Sequence, residues 1–465
     1  MLADGSESAG FGRCLPWSII EEGATNMDRR FTQVEFGPHK VDVPEGGYYD
    51  RCTTPTHDLV VFGATSFVGQ ILTRYLSEHL SGGDETLRWA IAGRSEAKLR
   101  QVRDSLGASG QSLPIIVADA ADDAQLQALC AQTRVVVSTV GPYALYGEPL
   151  VRTCAESGTD YCDLTGETQW IKRMIDKYEP AARQSGARIV HCCGFDSVPS
   201  DMGVFFLQQQ ARRQWGVPAE QVKMRVRTLK GGASGGTVAS VINVVREAAA
   251  DPALRRTLLD PYSLCPKGHG FTVRQHAVRS AEFDRDCDAW IAPFVMAAVN
   301  ERVVHRSNAL AGNAYGGRFT YDEAVMTGAG LKGRLAALTI VAGLGAFMAG
   351  VVIKPVRSVM ERFLLPKPGE GPSVEAQLAG RYDLRFFGRT GDGQTLRVQV
   401  TGDRDPGYGS TGRMLGQAAI SLALDCRRDG EKTGRGGGFW TPATMFGERF
   451  VERLVRHAGL RFELI

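Results

Sequence analysis

A large charge of one sign is missing from this chain. Its formal charge is +3 over 465 residues, and no basic block interleaved with aromatics occurs, so nucleic acid is not an expected partner. Metal-type cysteine spacing is missing too. The ten cysteines are scattered without a C-x-x-C pair, adjacent Cys192 and Cys193 are poorly placed to bridge each other, and a resident metal is not expected. Such usage suits a reducing, cytoplasmic setting. The start lacks the basic flank of a secretory signal: Arg13 is the only base before the short apolar run 14–20, and Asp4, Glu7, Glu21 and Glu22 surround it. What remains is 43% hydrophobic and 23% charged. That describes a soluble globular chain long enough for two domains plus extensions.

The run 57–69, HDLVVFGATSFVG, organises the rest. Leu59-Val60-Val61-Phe62 reads as a strand buried on both faces, and Gly63 and Gly69 bracket a turn into an amphipathic helix. Backbone N–H groups and the positive end of that helix then converge where a pyrophosphate can sit. Ser66 stands where the dinucleotide pattern has its middle glycine. Further strands are expected at 89–93, 113–118, 134–140, 161–164 and 188–192, with helices between them. Six strands alternating with helices predict an α/β fold with a doubly wound, Rossmann-type parallel sheet, its switch point at the first strand.

The second strand ends without the carboxylate that an NAD enzyme uses on its adenosine ribose. It ends instead in Gly93-Arg94-Ser95, and guanidinium plus hydroxyl suit a 2′-phosphate, so NADP is expected rather than NAD. Alternatively, Ser95 simply caps a solvated helix. The expected cofactor set is Gly63, Thr65, Ser66, Phe67, Gly69, Arg94, Ser95, Asp119 and Gly141. Asp119 lies near the adenine or caps the next helix; Gly141-Pro142 makes a rigid turn where backbone can approach the nicotinamide ring closely. A Tyr-x-x-x-Lys pair is lacking, since Thr165 lies four beyond Tyr161 and Ala182 four beyond Tyr178, which disfavours a short-chain reductase mechanism. Tyr143, Asp163 and Asp196 are the candidate proton donors. Asp163 and Asp196 are equally placed to cap helices.

Taken in order, VVFGATSFVG, AGRSEAKL, STVGPYALYGEPLV, YCDLTGE, HCCGFDSVPSDMG, GGTVAS, FLLPKPGEGPS and GGGFWTPA resemble the saccharopine dehydrogenase-like oxidoreductases, most of all the trans-acting enoyl reductase branch. The resemblance runs from residue 57 nearly to the end. It implies a nucleotide-binding domain, a mixed α/β substrate domain, and NAD(P)-dependent reduction of an enoyl group on a lipid or polyketide-derived substrate. Two rivals stand beside it: a saccharopine-type reductase or dehydrogenase of an amino-acid-derived imine, which calls for converging arginines in the cleft, and a non-catalytic dinucleotide-binding scaffold at a membrane.

The expected organisation is an irregular extension at 1–56 with a short strand at 31–36, a dinucleotide-binding domain at 57–200, a mixed α/β domain at 201–409, and C-terminal helices at 410–465. Strands are expected at 221–230, 382–387 and 395–400. The glycine-rich turn 231–236 either faces the cofactor cleft or is a flexible connection. Residues 335–353 form 19 uncharged positions, long enough to be a membrane candidate. Residues 331–367 carry six bases and one acid, which favours anionic headgroups. Three readings compete: burial in the substrate domain or in a homodimer interface; a true span, which would place the strands on either side awkwardly; and, favoured, a segment that dips into one leaflet on the cytoplasmic face.

Overall fold

Short runs of β-branched and small apolar residues build the first sheet. β1 (His57–Phe62), β2 (Trp89–Gly93), β3 (Ile115–Val117), β4 (Thr133–Ser138), β5 (Asp160–Asp163) and β6 (Arg188–Val190) alternate with helices. β1 shows why its apolar run is unbroken. Leu59 and Val61 enter one core cluster, whereas Val60 and Phe62 enter the other, because successive side chains point to opposite faces of a sheet covered on both. Pairing is parallel, in the order β3-β2-β1-β4-β5-β6. The order reverses between β1 and β4, which places the crevice for a dinucleotide at the carboxyl end of β1.

The computed structural model describes residues 55–83, 85–231, 235–353, 355–357, 371–426 and 435–465. The expected N-terminal extension, with its strand at 31–36, lies almost wholly outside the described residues, as do positions 232–234 of the second glycine-rich turn.

A second sheet forms from β7 (Gln221–Lys230), β8 (Glu282–Asp284), β9 (Ala289–Pro293), β10 (Thr320–Gly328), β11 (Arg381–Arg389) and β12 (Thr395–Gly402). The alternation read in β7 holds only in part: Val222, Met224 and Val226 are buried, but the basic Arg225 between them is buried too, because Asp284 and Asp322 pair with its guanidinium. β10 runs parallel to β7, and β11 runs antiparallel to it on the other side. Beyond β12 the chain serves both sheets. β13 (Gly438–Trp440) extends the first sheet beside β6, and β14 (Leu460–Leu464) pairs with β12 in the second. The segment 410–465 therefore contributes a strand to each sheet besides the helices Thr411–Leu424 and Pro442–His457. The uncharged run lies in the helix Gly330–Val352, and only 17% of its most apolar 18-residue window is buried. It is not a core helix of this chain.

Candidate functional site

The cradle begins at the carboxyl end of β1. Gly63 has φ +87°, and a Cβ there would stand 2.6 Å from Val140 Cγ2, so a side chain is excluded by both backbone and space. A Cβ on Gly69 would lie 2.2 Å from the Gly63 carbonyl oxygen; the helix Phe67–Gly82 can only start this close to the turn with glycine there. Ser66 is the N-cap of that helix, and its hydroxyl accepts from Gly69 N at 2.9 Å and donates to Thr139 Oγ1 at 3.0 Å. Ser66 thus ties β1 to the loop after β4. With Gly69 N capped, the first-turn N–H groups of Phe67 and Val68 remain for an anion. Thr65 stands half-buried on the same turn. The Phe67 ring turns away and packs edge-on against Tyr408, at 5.1 Å between centroids. These residues fit a dinucleotide pyrophosphate.

At the end of β2, Arg94 is exposed and forms no ion pair among the described residues. Ser95 is the N-cap of the helix Glu96–Asp104, and Lys98 N approaches its hydroxyl at 3.5 Å. Asp119 does not cap the helix after β3. It accepts from Ala121 N at 3.0 Å within its own loop, while Asp122 is the N-cap of Asp123–Ala131. After β4, Gly141 is exposed and joined to Pro142 by a cis peptide bond.

Of the three candidate donors, two are held inside the protein. The Tyr143 hydroxyl donates to the Ser138 carbonyl at 2.9 Å, its ring leans on Trp170, and burial pushes its phenol well above the ordinary range. Asp163 has no exposed surface. Its carboxylate accepts from His191 Nδ1 (2.7 Å), Tyr161 Oη (3.0 Å), Thr165 N (3.1 Å) and Cys192 N (3.3 Å). Such an acceptor binds the end of β5 to the end of β6. Glu167 does similar work next to it, accepting from Tyr143 N, Ala144 N and Ser240 Oγ. Through Ser240 the helix Gly235–Ala250, which follows the second glycine turn, is tied to the loop after β5. Among the described residues no group of His, Cys, Asp and Glu could hold a metal ion.

Asp196 differs. It lies six residues beyond β6, half-buried, and does not cap the helix Val198–Trp215, whose N-cap is Ser197. A Cβ on Gly166 would be 3.6 Å from its Oδ2, so the loops after β5 and β6 meet at this carboxyl. Burial, and then the negative charge of Glu323, push its pKa up to about 7. Glu323 comes from β10 and is itself buried, accepting from Tyr321 Oη at 2.7 Å and Asn300 Nδ2 at 2.9 Å. Glu301, from the helix Ala297–Leu310, is pushed up to about 8 by burial and then by Glu323. Glu323 of the second sheet therefore acts on the carboxyl group that follows β6, and on Glu301 of the helix Ala297–Leu310 as well. Sequence reasoning missed Glu301 and Glu323; the available signal was a carboxylate inside the strand Tyr321-Asp-Glu-Ala-Val. It also missed Thr411, whose Oγ1 accepts from Phe195 N at 2.9 Å and fixes the Asp196 loop from the C-terminal segment.

Residues 59–190 match the family model described as the saccharopine dehydrogenase NADP binding domain. A trans-acting enoyl reductase of Mycobacterium bovis is 37% identical over 413 residues, covering 85% of this chain and 95% of that protein. A Mycobacterium tuberculosis protein, provisionally named as a trans-acting enoyl reductase, is 41% identical over 406 residues with the same coverage. The apo saccharopine dehydrogenase (L-Glu forming) of Saccharomyces cerevisiae superposes with a TM-score of 0.47 at 12% identity, over 88% of this chain and 99% of that one.

Proposed function

We propose that this protein, which belongs to the saccharopine dehydrogenase-like oxidoreductases together with the trans-acting enoyl reductases, uses NADPH to reduce a carbon–carbon double bond conjugated to a carbonyl in a lipid-like substrate. Its membership rests on 37–41% identity across most of the chain and makes it an oxidoreductase with an NADP-binding domain. Gly63, Gly69 and the N–H groups of Phe67 and Val68 would hold the pyrophosphate, and Arg94 with Ser95 the 2′-phosphate. When bound, reduced nicotinamide supplies the hydride.

The chain's own task is then to deliver a proton to the carbon next to the carbonyl, and Asp196 is suited to it. A carboxyl with a pKa of about 7 still carries its proton near neutrality, which matches the acidity that proton transfer favours. Asp163 is unsuited, because all its acceptor positions are engaged. That contrast is the observation that carries the reading. An amino-acid imine substrate is not supported. Its carboxylates would call for arginines, whereas the residues that approach Asp196 from the second sheet include Glu323.

Titration with NADPH and NADH, followed by nicotinamide fluorescence, tests the cofactor; NADPH should bind more tightly. Oxidation of NADPH in the presence of long-chain trans-2-enoyl thioesters tests the reaction. Tight NADPH binding with no turnover across such a panel would leave a binding scaffold instead.

A further inference from the structure

The helix Gly330–Val352 does not match the rest of the surface. Leu335 is 55% exposed, Leu338 46%, Met348 41% and Val352 55%. Gly333, Ala337, Gly350 and Val351 are buried and Ile340, Val341, Leu344 and Phe347 half-buried, a stripe at helical spacing that packs on the chain; the rest of the helix circumference is apolar and faces outward. A helix that is apolar all round belongs in a core or in lipid, and the described residues cover only one stripe of this one.

Its base is nonetheless firmly attached. A Cβ on Gly333 would lie 2.0 Å from the Gly328 carbonyl oxygen, at the end of β10. The Thr327 hydroxyl bonds to the carbonyls of Gly333 and Trp290, and the Arg334 guanidinium lies 5.3 Å from the Trp290 ring centroid. The helix is therefore carried as a fixed extension of the second sheet.

We propose that this helix seats the protein on an anionic lipid surface, embedded in one leaflet with basic residues at its ends on the headgroups. Three observations select this occupant. The chain itself covers one stripe of the helix; a second copy would cover one further side and leave the remainder wet, whereas hydrocarbon covers the whole exposed arc. Lys332 and Arg334 stand at its start, and Lys354, Arg357, Arg362 and Lys367 follow in the sequence against Glu361 alone, which complements anionic headgroups at about 1 kcal/mol per base. Complete crossing is opposed by topology. β10 precedes the helix, β11 follows it, and both pair with β7, so a crossing would have to bring this charged segment back through hydrocarbon. Docking goes beyond the reductase reading and does not depend on it, although a lipid surface is where a lipid-like substrate would be met.

Flotation of the full-length protein on sucrose gradients provides the test, with vesicles of phosphatidylcholine alone or mixed with phosphatidylglycerol. The protein should float with the mixed vesicles, less so as salt is raised. The combined variant Leu335→Ser, Leu338→Ser, Met348→Ser should stay at the bottom while binding NADPH with unchanged affinity, which shows that it is folded. Lys332→Gln with Arg334→Gln should weaken partitioning into anionic vesicles about 30-fold. If the wild type binds NADPH but floats with neither vesicle, lipid docking is overturned and the reductase reading stands. If instead sedimentation shows a dimer that the triple-serine variant abolishes, and vesicles do not bind, the occupant is a second copy.

Discussion

The ends of β5 and β6 are neighbours in one sheet, yet their aspartates are opposites. Asp163 is buried with four donors aimed at it, from His191, Tyr161, Thr165 and Cys192. Asp196 is half-buried, faces the carboxylate of Glu323, and is pushed up to about 7. Burial alone does not decide what an acid does; the groups that surround it do. Partners on every acceptor position hold a carboxyl group in place and make it a strut. A low-dielectric pocket with another acid beside it keeps the proton on, and makes the group a donor.

The comparison is broken most severely by removing the proton. Asp196→Asn should lower kcat by roughly 10²- to 10⁴-fold, the usual range for a positioned general acid, while NADPH affinity and the thermal midpoint stay as in the wild type. Asp163→Ala should act in the other way. It strands the buried Tyr161 hydroxyl and His191 Nδ1, at about 1–3 kcal/mol for each group left unpaired. The denaturation midpoint should therefore drop, and activity should fall in step with the folded fraction.

A smaller effect is expected at the other end of the crevice. Arg94→Ala should raise the NADPH dissociation constant by about 10- to 100-fold, as for loss of a charge-assisted contact to phosphate, and leave that of NADH nearly unchanged. The smallest is Glu323→Gln. Burial raises the Glu323 carboxyl as well, and once ionised its charge helps hold the Asp196 proton, so its removal should move the alkaline loss of activity to lower pH, by up to roughly one unit.

The two aspartates also show what the sequence can and cannot tell. The strand β1, the turn at Gly63 and Gly69 and the exposed Arg94 at the end of β2 are legible because their chemistry is local: an apolar run, a glycine pair and a missing acid. β2 falls on the expected residues 89–93. Asp163 and Asp196 looked alike because each sits on a strand-to-helix turn, and their partners arrive from elsewhere. His191 lies 28 residues after Asp163, and Glu323 belongs to a strand of the other sheet. β13 is only three residues long, and its place beside β6 is set by the sheet edge it completes rather than by any periodicity of its own. The exposure of Gly330–Val352 was likewise beyond composition, which gives the length and hydropathy of a run but not what covers it.

The central claim is that Asp196 supplies the proton, and its pH dependence tests this most directly. A general acid must be protonated, so the rate should be full below about 7 and fall as pH rises through the pKa of Asp196. The measurement is single-turnover oxidation of bound NADPH by a long-chain trans-2-enoyl thioester across that range, in the wild type and in Asp196→Asn. The account predicts a wild-type rate that declines above about 7 and a variant that is slower throughout and lacks that decline. A variant that keeps the wild-type rate and the same decline would contradict it.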